Sequence, residues 1–300
     1  MRAEDKMWPI DPLDGMRSSI QKRFPQARLS SLPGGGTNTC FMLNDNGLRT
    51  VVKVAMVSEA GASVEKACLG QLTGSGYAPR LFGSFRVEER TALHMEFVEG
   101  RMMLERIIEY SLKGEVQDIL PLFTELGEVL AGLHHLPVER EGLEEGWTIP
   151  EIQLSLPDPQ ICIEPALTKR SEELVGRLEG INPRQVLLHG DYGYHNLLIR
   201  DNGACCLLDW ELAGFGHPGM DIGNVLFWTH LHFPEIAGSC IREFRKGYGS
   251  GEENDSADIL HAFVILQLWR MIALVRPDFR ESVKKEWNRR LAWALDHSFL

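Results

Sequence analysis

Apolar residues recur at two different spacings along the chain, and the change between them divides it into unlike parts. The first part holds short apolar runs separated by turn residues, as strands do. Residues 29–55 read as two strands joined by turns, with Pro33-Gly34-Gly35-Gly36-Thr37-Asn38 between the first pair and Asn44-Asp45-Asn46-Gly47 ahead of 48–54. Residues 58–72 carry apolar positions at helical spacing and stop at Gly74-Ser75-Gly76, and runs 81–87 and 91–98 flank Glu88-Glu89-Arg90 as a hairpin. Strand, glycine turn, strand, helix and two strands make a small antiparallel sheet with one helix. A short helix is predicted ahead of it, over 13–24.

Beyond residue 98 the spacing becomes helical. Leu120, Phe123, Leu126, Val129, Leu130 and Leu133 recur at three and four, which predicts an amphipathic helix ending near His134 and His135. The acidic stretch 139–165 carries Pro150, Pro157, Pro159 and Pro165 and reads as an irregular insertion, a candidate wall for a substrate. Runs 197–200 and 204–208 flank Asp201-Asn202-Gly203, a hairpin whose Asn-Gly pair is expected to take positive φ at both positions. Helices are predicted over 221–228, 236–248, 259–275 and 283–299, with a solvent loop at 249–258.

A length of 300 residues suits two lobes sharing a cleft, and 44% hydrophobic with 24% charged residues is an ordinary soluble composition. No positively charged start leads into an apolar signal core, so a cytoplasmic protein is expected. The most apolar stretch, 259–275, is broken by His261, Gln267 and Arg270 and reads as a buried helix, not a membrane span. Six cysteines without a Cys-x-x-Cys pair read as reduced structural thiols, and the pairs His134-His135 and His230-x-His232 as ordinary side chains. Net charge is −11, unevenly placed: residues 1–100 hold 12 Lys+Arg against 11 Asp+Glu, the remainder 19 against 31. Such a field repels nucleic acid and attracts a cationic partner, although simple solubility explains it equally well.

Chemistry concentrates in residues 187–211. Asp191 lies two residues after His189 and five before Asn196, and the hairpin returns Asp209 beside Asn196. That set offers a base for an acceptor hydroxyl, with an amide and a carboxylate oxygen for Mg²⁺. His-x-Asp-x-x-x-x-Asn resembles the catalytic loop of eukaryotic-like kinases. Closer still, His189-Gly190-Asp191 with Leu208-Asp209-Trp210-Glu211 resembles the aminoglycoside phosphotransferase and choline kinase-like family of small-molecule kinases.

The resemblance implies an α+β, two-lobed protein-kinase-like fold, with a nucleotide-binding lobe over 1–97 and a helical catalytic and acceptor-binding lobe over 98–300. It implies ATP as donor, with GTP left open, and Mg²⁺ held by Asn196 and Asp209. Gly34, Gly35, Gly36, Thr37 and Asn38 match the family's Gly-Gly-x-Thr-Asn turn over the phosphates. Lys53, set among valines in a strand and costly to bury alone, would contact the α- and β-phosphates. Glu65 is the expected partner of Lys53, ahead of Glu59, whose place near a helix start suits a dipole role. Glu96 and Val98 fall at the hinge for the adenine edge, His189 braces the loop, and Asp221 supports it through backbone hydrogen bonds.

The expected reaction moves the γ-phosphoryl group of ATP to a small-molecule hydroxyl, with Asp191 as base. An amino alcohol is the first expectation and an antibiotic the second, with a silent nucleotide-binding pseudokinase as the reading of another class. Trp210, Trp228, Trp269 and Tyr194 are candidate faces for a quaternary ammonium, each more readily read as core, and Glu211 a candidate partner for an amine. A protein kinase is disfavoured, because eleven residues between Asp209 and Asp221 leave no room for a full activation segment and no Ala-Pro-Glu follows. Neither nucleic acid nor membrane is expected as a partner, and either a monomer or a homodimer fits.

Overall fold

The computed structural model describes residues 12–32, 38–138, 148–181, 185–249 and 256–300. Helix α1 (Pro12–Arg23) precedes β1 (Arg28–Ser31), β2 (Asn38–Asp45), β3 (Leu48–Ala55), α2 (Glu59–Gln71), β4 (Leu81–Val87) and β5 (Arg90–Glu96). The strands form one antiparallel sheet in the order β1-β2-β3-β5-β4. It holds one strand more than the two read over 29–55; the expected turn at 44–47 forms, with Asn46 (φ 52°) and Gly47 (φ 92°), and β2 and β3 pair across it as a hairpin. The glycine turn 34–37 lies outside the described residues. Ser58 caps α2 by accepting from the Gly61 N–H at 2.9 Å.

The two faces of this sheet do different work. One buries Phe41, Val52, Val54 and Val87 against Met16 and Ile20 of α1. The other, with Cys68, Leu69 and Leu72 of α2, belongs to the same apolar core as the helical half. Helix α2, which carries Glu65, packs on β3, β4 and β5.

The helical half runs through β6 (Arg101–Met102), α3 (Met103–Lys113), α4 (Val116–His134), α5 (Pro165–Val175), β7 (Val186–Leu188), β8 (Leu197–Ile199), β9 (Cys205–Leu207), β10 (Gly214–Gly216), α6 (Gly219–His232), α7 (Ala237–Tyr248), α8 (Ala257–Ala273) and α9 (Glu281–Asp296). Its strands form two short ladders, β6-β8-β9 and β7-β10. Helix α8 is the buried helix expected over 259–275, and its polar interruptions are bonded: His261 to Ala294 O at 2.8 Å, Gln267 to Gly190 O at 2.6 Å. Among the described residues no helix is long and apolar enough to cross a membrane. Of the expected insertion, 139–147 lies outside the described residues. The part beyond 148 packs Ile149, Ile161 and Ile163 into the core, with Pro157 O accepting from Trp269 Nε1 at 2.7 Å.

The β8-β9 hairpin forms where expected, with a different turn. Of the Asn-Gly pair only Gly203 has positive φ (85°). Its N–H donates to Arg200 O at 2.9 Å, the Arg200 N–H donates to Ala204 O at 2.9 Å, and Asn202 Oδ1 accepts from the Ala204 N–H. One extra residue therefore sits in the loop, and a single left-handed glycine suffices.

Candidate active site

Three elements converge at the mouth between the halves. Strand β3 carries Lys53, helix α2 carries Glu65, and the β8-β9 hairpin returns Asp209 opposite them. Lys53 Nζ lies 2.6 Å from Glu65 Oε2 and 2.6 Å from Asp209 Oδ1. Glu65 is 2% exposed and also accepts from the Trp210 N–H at 3.3 Å. Asp209 has a φ of 67°, a left-handed conformation that aspartate tolerates better than most residues and that here turns its carboxylate to Lys53. Burial works to lower the Lys53 pKa, but attraction to Glu65 and Asp209 outweighs it and the ammonium is held firmly protonated. Glu65, not Glu59, is the lysine's partner. Glu59 instead accepts from the Thr91 N–H at 2.9 Å and from Arg86 at 2.8 Å.

The loop after β7 carries the second cluster. Asp191 Oδ1 accepts from Asn224 Nδ2 at 3.1 Å and lies 3.4 Å from His195 Nε2. Its Oδ2 accepts from Asn196 Nδ2 at 3.1 Å, and the same nitrogen reaches the Asp191 carbonyl at 2.9 Å. Burial works to raise the Asp191 pKa, but His195, His189 and Asn224 reverse this and hold the carboxyl below its ordinary value. Because Asn196 spends its N–H groups on Asp191, its Oδ1 is the end left to face a ligand.

Buried hydrogen bonds brace this loop. Asp221, fully buried in the first turn of α6, accepts from the His189 N–H at 2.8 Å and the Gly190 N–H at 2.9 Å. Gly190 has a φ of 83°, and a Cβ there would stand 1.9 Å from Leu212 O, so only glycine fits. His189 Nδ1 accepts from the Asp191 N–H at 3.3 Å, while Nε2 lies 2.9 Å from Leu208 O. A carbonyl needs a donor, so those partners assign the neutral Nε2–H tautomer, and burial lowers the pKa in the same sense. His189 is thus a brace between the two motifs.

At the hinge, the Glu96 N–H donates to Arg80 O at 2.8 Å, and its carboxylate pairs with Arg200 of the hairpin at 2.8 Å. Val98 is buried against Leu198 and Cys206.

Five expectations for acceptor contacts meet different outcomes. Trp269 is 2% exposed and donates Nε1–H to Pro157 O at 2.7 Å, so it offers no face to a ligand. Trp210 is 0% exposed, packs on His189 with ring centres 4.6 Å apart and donates Nε1–H to Leu207 O, so it has no face for a ligand. Tyr194 is also 0% exposed, with its hydroxyl donating to Trp228 O at 3.0 Å. All three belong to the core, as large aromatics commonly do. Glu211 turns towards the sheet, where its Oε2 accepts from Asn38 Nδ2 at 2.9 Å, on the Lys53 side of the cleft. Trp228 is half-buried and lies near His195, ring centres 6.0 Å apart. Asn224 escaped the sequence reading. Its signal was its place three residues after Asp221, on the same face of α6.

The sequence model of the phosphotransferase enzyme family matches residues 28–257. The chain belongs to that family. Solved structures share its protein-kinase-like fold. An aminoglycoside phosphotransferase APH(4)-Ia variant, in ternary complex with AMP-PNP and hygromycin B, is 16% identical with a TM-score of 0.69, covering 92% of this chain and 96% of that one. Choline kinase LicA from Streptococcus pneumoniae is 16% identical with a TM-score of 0.66, covering 95% and 99%. A microcompartment-associated aminopropanol kinase is 17% identical with a TM-score of 0.64, covering 93% and 95%. Among curated proteins, acyl-CoA dehydrogenase family member 11 of Rattus norvegicus is 28% identical over 164 residues, half of this chain. The chain spans about a fifth of that relative's length, since the match covers 20% of it.

Proposed function

We propose that this phosphotransferase moves the γ-phosphoryl group of ATP directly to the hydroxyl of a small molecule. The observation that carries the reading is the pair of facing clusters, Lys53-Glu65-Asp209 and Asp191-Asn196-Asn224, joined through the bonds of His189. Asp191 orients the acceptor hydroxyl and takes its proton. A depressed pKa keeps it ionised at neutral pH, and two amide donors with His195 fix its direction. Lys53, held protonated, neutralises oxygens of the phosphates that are not transferred. Catalysis on this scheme is positioning and charge, with no covalent intermediate.

Hard oxygen donors suit Mg²⁺, and the Asp209 carboxylate with the Asn196 Oδ1 supplies two. Among the described residues no group of three or more acidic, histidine or cysteine side chains could hold a metal alone. A two-ligand site matches an ion that arrives with a nucleotide and keeps phosphate and water in its shell. Magnesium, when bound, would supply charge neutralisation across the phosphates.

The solved neighbours act on amino alcohols or bind an aminoglycoside, and an amine-bearing acceptor is the expectation they bring. Sealing of Trp210, Tyr194 and Trp269 removes three of the four aromatic faces that a quaternary ammonium would need. The experiment is magnesium-dependent ADP release from ATP across hydroxyl acceptors, with Asp191→Asn beside the wild type. Acceptor-stimulated turnover should fall by about 10²- to 10⁴-fold in the variant while nucleotide binding persists. Wild-type turnover in Asp191→Asn would overturn the assignment. Mg-ATP binding with no turnover on any acceptor would favour a silent binding protein.

A further inference from the structure

From Asp191 a run of ring contacts leads to an arginine. His195 touches Asp191 and presents its ring edge to Trp228. Trp228 stacks on His232 with ring centres 5.0 Å apart, and the Arg290 guanidinium of α9 lies 5.8 Å from its ring centre. The same guanidinium lies 5.0 Å from the ring of Trp287, so two indoles hold it. Its Nε donates to Glu286 Oε1 at 2.9 Å, and its terminal nitrogens donate to nothing else among the described residues. Arg290 keeps a quarter of its side chain exposed, at 24%. Glu286, the carboxylate beside it, is shared with Arg289 at 2.8 Å. Glu211, the acid expected to welcome an amine, faces Asn38 across the cleft.

These features are unsuited to a quaternary ammonium. The Trp228 ring already has a cation beside it and an imidazole stacked on it, and a second cation would meet Arg290. A planar guanidinium, oriented by packing and tethered through Nε alone, instead presents a two-pronged fork that matches a carboxylate or phosphate edge. We propose that the acceptor carries an oxyanion besides its hydroxyl, and that Arg290, set against Trp228, binds that oxyanion while Asp191 addresses the hydroxyl. This rests on Asp191 as the base of a phosphotransfer. The reaction is otherwise unchanged: the hydroxyl oxygen bonds to phosphorus, the bond to ADP breaks, and the hydroxyl proton goes to Asp191.

The test compares kcat/KM for ADP release across four acceptor sets of matched carbon number. These are ω-hydroxy carboxylates, monophosphate esters of diols, amino alcohols and uncharged diols. The wild type should prefer one of the two oxyanion sets over amino alcohols, and which set leads identifies the oxyanion. In Arg290→Gln the ratio of oxyanion to amine should drop about 10- to 100-fold, the worth of a charge-assisted hydrogen bond. Arg290→Lys, which keeps charge without the fork, should fall between, and Arg290→Glu should invert the order. Because the readout is a ratio, a general loss of folded enzyme does not move it. Wild-type preference for amino alcohols, or a ratio unmoved in Arg290→Gln, would overturn the inference while leaving phosphotransfer intact. Silence towards all four sets would overturn the Asp191 assignment and the oxyanion site together.

Discussion

Lys53→Met should destabilise the protein strongly, and the penalty should depend on pH in a direction fixed by Glu65. In the wild type the Lys53 ammonium stands 2.6 Å from a Glu65 carboxylate whose side chain is 3% exposed. Removing one partner of a buried pair leaves a charge with neither water nor counterion, which costs about 3–5 kcal/mol. The Trp210 N–H still donates to Glu65 at 3.3 Å, and Asp209, whose side chain is 36% exposed, can turn to water. The lower end, about 3 kcal/mol at neutral pH, is therefore expected. Glu65→Gln should cost less, about 1–2 kcal/mol, because Lys53 keeps Asp209 and the amide oxygen can still accept from Trp210. The double variant removes both buried charges, so it should be more stable than the sum of the singles by about 2 kcal/mol.

The sign of the pH effect follows from burial, which raises the Glu65 pKa and in Lys53→Met has no ammonium to oppose it. Below the unfolded glutamate value of about 4.3, both states are protonated and the penalty is absent. As pH rises beyond that, the unfolded chain ionises while the native state resists, and stability falls until the raised folded pKa is passed. The Lys53→Met deficit should therefore be largest near pH 8 and shrink towards pH 5, to an extent of about 1.4 kcal/mol per pH unit within the window. Urea unfolding without nucleotide at both pH values, read as midpoints with m-values, measures it. Equal deficits at both pH values, or simple addition of the two singles, would refute the reasoning.

Two further outcomes follow from buried polar groups. Asp221→Asn replaces a carboxylate oxygen facing the His189 and Gly190 N–H groups by an amide donor. It should lower stability by about 2–4 kcal/mol. An unchanged thermal midpoint would show that those bonds do not hold the loop. Burial depresses the pKa of His94, His189, His230, His232 and His297, His230 down to about 4. Groups with folded pKa values below their unfolded ones favour folding above the unfolded value, so stability should be full above about pH 6.5 and decline towards pH 4. A urea midpoint that is the same at pH 7 and pH 5 would contradict this.

What the sequence could disclose of the site depended on how local each cause is. Asp191, Asn196 and Asp209 were legible because their spacing is set within one loop and one hairpin. Glu65 was legible because a strand lysine among valines demands a buried acid, and the following helix had to supply it. The orientation of Trp210 and Glu211 was not legible. Asp209 takes positive φ, and that single backbone rotation decides whether the residues after it face the cleft or the core. Tyr194 failed for a different reason: its hydroxyl has partners on α6, Trp228 O and His232, 34 and 38 residues away. Arg200-Glu96, 104 residues apart, and Asn224-Asp191, 33 apart, likewise require the folded arrangement.

The same distinction explains why the polar interruptions of α8 mattered. Gln267 breaks an apolar run, and by composition alone it signals only that the helix is not a membrane span. In the fold its amide donates to Gly190 O at 2.6 Å, while Asp221 takes the Gly190 N–H at 2.9 Å. Both main-chain groups of the glycine ahead of the proposed base are thus held by side chains from α8 and α6, the two helices that pack along each other behind the loop. A positive-φ residue persists only where its surroundings over-determine it. The carboxylate beneath the loop, the amide beside it and the carbonyl of Leu212 against its α-carbon supply that over-determination. The helical half is therefore the frame that fixes the direction of Asp191, and its buried polar residues belong to the site as much as the motif does.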